Sequence, residues 1–166
     1  MDLITQLGPL AFASRLKRLA DRLMKDVSQL YKDLDLEFEA RWFPVVYYLK
    51  ERDSVPLTTV AQDLGLTHPA VNQVANVLSE KGLLASTRDT EDERRRLLSL
   101  TQKGRDTVRT LEPVWEEIAA ATADVIAQSG TDILTALRVM EATLDDTAMY
   151  DRVRERLRAR DINVFG

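Results

Sequence analysis

The sequence predicts a mainly α-helical protein carrying one small β-hairpin, and three observations predict it. Apolar residues recur at steps of three and four through much of the 166-residue chain, as they do in amphipathic helices. Gly65 and Gly82 stand directly after two helical segments, where a left-handed residue ends a helix. Between Leu83 and Thr101 the helical period breaks into two strand-like runs around the polar stretch Asp89-Thr-Glu-Asp-Glu93, the pattern of a hairpin with a long tip.

The elements follow in order. Phe12, Leu16, Leu19, Leu23, Val27, Leu30 and Leu34 form one stripe, which predicts a helix from about Pro9 to Asp35 with the proline in its first turn. Arg41–Glu51 is apolar and aromatic and predicts a short buried helix that tolerates Pro44 near its start. A third helix spans Pro56–Leu64. A fourth is capped by Thr67 and runs from His68 to Lys81. After the strands Leu83–Arg88 and Arg95–Thr101, Thr101 caps a long helix reaching Gln128, with Pro113 expected to kink it. Beyond Ser129-Gly130, Thr131 caps a last helix with the stripe Ile133, Leu137, Met140 and Leu144, continuing weakly through Met149, Val153 and Leu157.

Composition excludes several function classes. With 45% hydrophobic and 30% charged residues the chain is an ordinary globular protein, and no apolar run approaches the ~20 residues needed to span a bilayer. The start, MDLITQLGPLAF, lacks the features of a secretory signal, so a cytoplasmic protein without a membrane partner is expected. Cysteine is absent, which removes disulfides and thiolate metal sites. The single histidine, His68, cannot by itself build a metal centre or a triad, and no phosphate loop or nucleophile elbow occurs. No enzymatic site, cofactor or metal is expected. The net charge of −4 argues against a non-specific polyanion binder, yet Arg88, Arg94, Arg95, Arg96, Lys103 and Arg105 crowd one segment.

Two short helices joined by Gly65-Leu66-Thr67, with a hairpin directly after the second, form the arrangement of a winged helix-turn-helix. Val71, Val74, Val77 and Leu78 are expected to pack on Val60, Leu64 and Leu66. Thr67, His68, Pro69, Asn72, Gln73 and Asn76 then remain at the start and on the outer face of the second helix. Amide side chains there suit the major-groove edge of adenine, and the helix N-terminus suits phosphate. A merely solvated polar face is the competing reading. The hairpin adds the missing positive charge and tips the balance to double-stranded DNA. Arg94 at its tip suits a narrow minor groove, Arg95 or Arg96 a flanking phosphate, and Asp92 a structural tie; a charge run that keeps an edge strand soluble is the competing reading. For His68, capping or a phosphate contact stands beside an ordinary surface role. Trp42, Tyr47 and Tyr48 belong either to the core or to the wall of a pocket.

The segment Thr58–Leu84, followed by Asp89–Gly104, resembles the MarR family of winged helix-turn-helix regulators. That family's wing motif, Asp-x-Arg ahead of Leu-x-x-Leu-Thr-x-x-Gly, matches Asp92, Arg94, Leu97, Leu100, Thr101 and Gly104. The resemblance extends over Phe38–Leu49, and the wing departs from the usual pattern in its acidic residues Glu91 and Glu93. It implies a homodimer joined through its first and last helices, so that residues 1–36 and 106–166 form a dimerisation region and 37–105 the DNA-binding domain. It also implies a pseudo-palindromic operator, repression, and release by a small aromatic effector bound near Trp42, Tyr47 and Tyr48. A different class stays open: a winged-helix adaptor that binds another protein, using its acidic surface or the arginines at 152, 154, 156, 158 and 160.

Overall fold

The computed structural model describes residues 2–88, 92 and 95–162. The chain divides into two compact units, Met1–Glu116 and Glu117–Gly166.

The first unit opens with α1 (Leu3–Gln6) and a 3₁₀ turn at Gly8–Ala11, followed by α2 (Phe12–Asp33). The helix expected from Pro9 therefore starts at Phe12, because Pro9 sits in the 3₁₀ turn. Its end falls two residues early, where Asp35 adopts a left-handed φ of 53° and the Leu36 amide bonds back to the Tyr31 carbonyl at 2.8 Å. This is the six-to-one closure of a helix C-terminus.

A 3₁₀ turn at Ala40–Trp42 leads into α3 (Phe43–Leu49), with Pro44 in the first turn as expected. Its aromatic neighbourhood is a core. Phe38 meets Tyr31 and Trp42 edge-on, with centroids 5.4 and 5.5 Å apart, the geometry the ring quadrupoles favour. Trp115, from α6 (Gln102–Gln128), donates its indole N–H to the Tyr31 hydroxyl at 3.0 Å.

The helix-turn-helix consists of α4 (Leu57–Asp63) and α5 (His68–Glu80). The buried stripe of α5 is Val71, Ala75 and Leu78, at i, i+4 and i+7. Val74 and Val77, expected to lie in the core, flank this stripe and are half-buried. Leu66, expected to be a packing partner, is 41% exposed.

The hairpin pairs β2 (Leu84–Arg88) with β3 (Arg96–Leu100). A third strand that the sequence pattern missed, β1 (Val55–Pro56), pairs with β3 on its other side, giving the order β1-β3-β2. Two residues are too few to show a period, and Pro56 is tolerated because β1 is an edge.

Thr101 closes the corner between sheet and α6. Its hydroxyl donates to the Gly82 carbonyl at 2.6 Å and accepts from the Gly104 amide at 3.0 Å, so one side chain joins the end of α5 to the start of α6.

In the second unit, Asp132 rather than Thr131 caps α7 (Ile133–Asp146), accepting from the Thr135 amide at 3.1 Å. The single last helix expected is two. Thr147 is extended, with φ −143° and ψ 112°, and α8 (Met149–Arg158) starts afresh. Arg152 straddles the break, donating to the carbonyls of Thr147 and Thr143, each at 2.9 Å.

Candidate nucleic-acid interface

Thr67 starts α5, its hydroxyl accepting from the Ala70 amide at 3.4 Å, and Pro69 occupies the first turn. The cap sets the orientation of the helix. With Val71, Ala75 and Leu78 turned inward, His68, Pro69, Gln73 and Asn76 are exposed and Asn72 is half-buried. These residues share the outer face that the helical period assigns them.

The wing strands add cations to that face. Arg88 and Arg96 are directly opposed in the β2–β3 register, so their side chains emerge on one side of the hairpin. Two guanidinium groups so placed repel unless each finds acceptors. Arg96 has three: its Nε donates to Ser86 Oγ at 2.5 Å, and one terminal nitrogen donates to Asn72 Oδ1 at 2.6 Å and to Asn76 Oδ1 at 2.7 Å. Arg96, one of the two residues expected to meet a flanking phosphate, is thus bonded to two of the amides expected to read bases. Arg88 and Arg95 are exposed, and the Arg95 amide bonds to the Asp92 carbonyl at 2.8 Å. Arg94, the expected wing-tip residue, lies outside the described residues.

Nothing in the sequence pattern marks Ser86. Its role depends on strand register, which places Arg88 opposite Arg96 and Ser86 two residues away on the same face; a hairpin with a long tip does not reveal its register.

The three aromatic candidates separate. Trp42 is 2% exposed and packs in the core. Tyr47 and Tyr48 line a surface cleft of about 460 Å³ together with Phe43, Lys50 and Arg52. The Tyr48 hydroxyl donates to Asp63 Oδ2 at 2.5 Å, and this bond to a carboxylate holds the phenol's pKa above its usual value. The Arg52 guanidinium lies 3.9 Å from the Tyr48 ring centroid. Lys50 Nζ sits 4.5 Å from that of Tyr47 and 3.1 Å from Glu112 Oε1, a contact that raises the pKa of the ammonium. Glu51 also lines the cleft and shares Lys50 with Glu112, so the aromatic walls suit a flat ring and, among the described residues, Arg52 is the cation of the lining not paired to a carboxylate there.

Among the described residues no group of three or more His, Cys, Asp or Glu is placed to hold a metal ion. Nor is any described helix long and apolar enough to cross a membrane.

Residues 34–95 match the model of the MarR family. No curated protein matches the chain. Among solved structures, the chain is similar to S. aureus MepR in complex with DNA, at 19% identity and a TM-score of 0.67, covering 80% of this chain and 98% of that one. It is also similar to PcaV from Streptomyces coelicolor bound to its natural ligand, at 24% identity and a TM-score of 0.62, covering 89% and 97%. A third is Bordetella bronchiseptica BpsR, whose DNA binding is regulated by 6-hydroxynicotinic acid, at 24% identity and a TM-score of 0.57, covering 76% and 98%. The chain thus has the winged helix fold of MarR-family transcriptional regulators.

Proposed function

We propose that this chain, whose residues 34–95 match the model of the MarR family, is a sequence-specific DNA-binding repressor that acts as a homodimer on a pseudo-palindromic operator. The observation that carries this reading is the shared face of α5 and the hairpin. There His68, Gln73 and Asn76 are exposed beside the cations Arg88 and Arg96. Amide side chains supply base-edge recognition, while guanidinium groups supply the phosphate attraction that dominates affinity. In this reading α5 lies in a major groove and the wing, including Arg94, follows the adjacent minor groove. The resemblance to MepR, solved with DNA, supports it.

Dimerisation rests on apolar faces left uncovered in each unit. On α2, Phe12, Leu16, Leu19, Leu23 and Leu30 are 38–55% exposed. On α7 and α8, Leu134, Val139, Met149 and Tyr150 are 56–64% exposed. So much exposed apolar side chain on amphipathic helices marks a protein contact, and pairing two copies duplicates the reading helix as a palindrome requires.

Regulation is assigned to the cleft bearing Tyr47 and Tyr48. Its aromatic wall and the Arg52 guanidinium fit a small aromatic acid, and PcaV and BpsR, which are tied to small ligands, support the assignment. Ligand binding there selects a dimer whose two reading helices no longer match successive grooves.

Selection of bound duplexes from a random pool tests the function. Enrichment of an inverted repeat is expected. Binding to another protein with no duplex affinity, even in dilute buffer, would transfer the case to the adaptor reading. The arginines that favoured the adaptor are fewer than the sequence implied, since Arg152 is engaged by the backbone carbonyls of Thr143 and Thr147.

A further inference from the structure

The bonds made by Arg96 have a consequence for which bases are read. A guanidinium has only donors, so any carboxamide that faces it at hydrogen-bonding distance presents its oxygen and turns its NH₂ away. Asn72 and Asn76 both do so, at 2.6 and 2.7 Å from the same terminal nitrogen. Ser86 Oγ accepts from Nε at 2.5 Å and fixes the plane of the guanidinium. An asparagine without such a partner can present either end of its amide, since the two ends are nearly equal in size. Here one residue of β3 decides the polarity of two side chains of α5.

We propose that Arg96 is a positioning residue for base recognition: it holds the amide oxygens of Asn72 and Asn76, so that both side chains offer their NH₂ groups to DNA and select guanine. The inference rests on the DNA-binding reading given above and refines it. Adenine presents one acceptor and one donor in the major groove and is matched by an asparagine that offers both an acceptor and a donor. Guanine presents two acceptors, N7 and O6, and is matched by donors alone. An amide whose oxygen is committed to Arg96 is mismatched to the N6 amino group of adenine, which is left unpaired or rehydrated.

The test is selection from random duplexes by the full-length protein, its Arg96→Met variant and its Asn72→Asp variant, with affinities then measured for the enriched and singly altered sites. The base pair whose preference changes in Asn72→Asp identifies the pair that Asn72 faces. The wild type is expected to hold a G·C pair there, with guanine on the contacted strand. Arg96→Met is expected to admit A·T at that pair and at the pair Asn76 faces, reducing discrimination about tenfold while positions read by neither asparagine keep theirs. If Arg96→Met does not fold, Asn72→Asp carries the test, because its carboxylate still accepts from Arg96. It is expected to reverse the pair to C·G, as an acceptor facing cytosine N4 requires. A wild-type preference for A·T at that pair overturns the inference. So does an Arg96→Met variant that binds every sequence more weakly without changing preference. A wild type that binds no duplex at all overturns the DNA-binding reading, and the inference with it.

Discussion

Gly104 lies so close to the carbonyl of Leu83 that a β-carbon added to it would stand 2.1 Å from that oxygen. No side chain fits there, and the obstacle is backbone, which cannot rotate away. The Thr-x-x-Gly end of the wing motif thereby acquires a physical meaning: Thr101 ties the turn after α5 to the start of α6, and Gly104 lets the two approach. Gly104→Ala is expected to destabilise the first unit at the upper end of the ~1–3 kcal/mol cost of overpacking. Chemical denaturation reads this as a lower midpoint with an unchanged slope, and an unaltered midpoint would contradict the contact.

Tyr31 and Trp115 share a buried hydrogen bond, and burial raises the tyrosine's pKa above its ordinary 10.0. A group whose folded-state pKa is raised contributes stability that is complete below its unfolded pKa. That contribution is lost as pH climbs through the folded value. Denaturation midpoints should therefore fall above pH 10, and Tyr31→Phe should flatten this alkaline limb. Trp115→Phe, which orphans the tyrosine hydroxyl, is expected to cost about 1 kcal/mol at neutral pH.

The exposed stripe on α2 makes a third prediction. Leu19 is 55% exposed and Leu23 46%, so Leu19→Glu should leave the winged helix folded while placing a charge within the subunit contact. Sedimentation is expected to show a dimer for the wild type and a monomer at micromolar concentration for the variant, with unchanged helical circular dichroism. A wild type that sediments as a monomer would contradict the dimer.

The cleft beside α3 is tested by removing its aromatic wall. If an aromatic acid is held over Tyr47 between Lys50 and Arg52, Tyr47→Ala should weaken its binding about tenfold or more. Duplex affinity without the acid should stay unchanged. Titration calorimetry against a panel of benzoates and nicotinates reads this, and a panel without heat would exclude that ligand class.

Much of this fold was legible in the sequence because helical stripes and glycine stops are local signals. The hairpin, Gly65, Gly82 and the Thr67 cap stand where the pattern put them. What escaped depends on contacts distant in the chain. β1 is a strand only because β3 pairs with it. The break at Thr147 interrupts an apolar stripe that continues beyond it, and the stripe alone carries no mark of the break. In the site, residue types pointed to the outer face of α5. The bonds from Arg96 to Asn72, Asn76 and Ser86 follow from the strand register, which the sequence pattern does not carry.

The central proposal is that α5 and the hairpin form one surface that meets DNA. Its most direct test is the dissociation constant for a selected duplex measured across a salt series. A dimer that neutralises ~6–8 phosphates should lose affinity with a log–log slope of about −5 to −7. A slope near zero, or no measurable binding at the lowest salt, would contradict it.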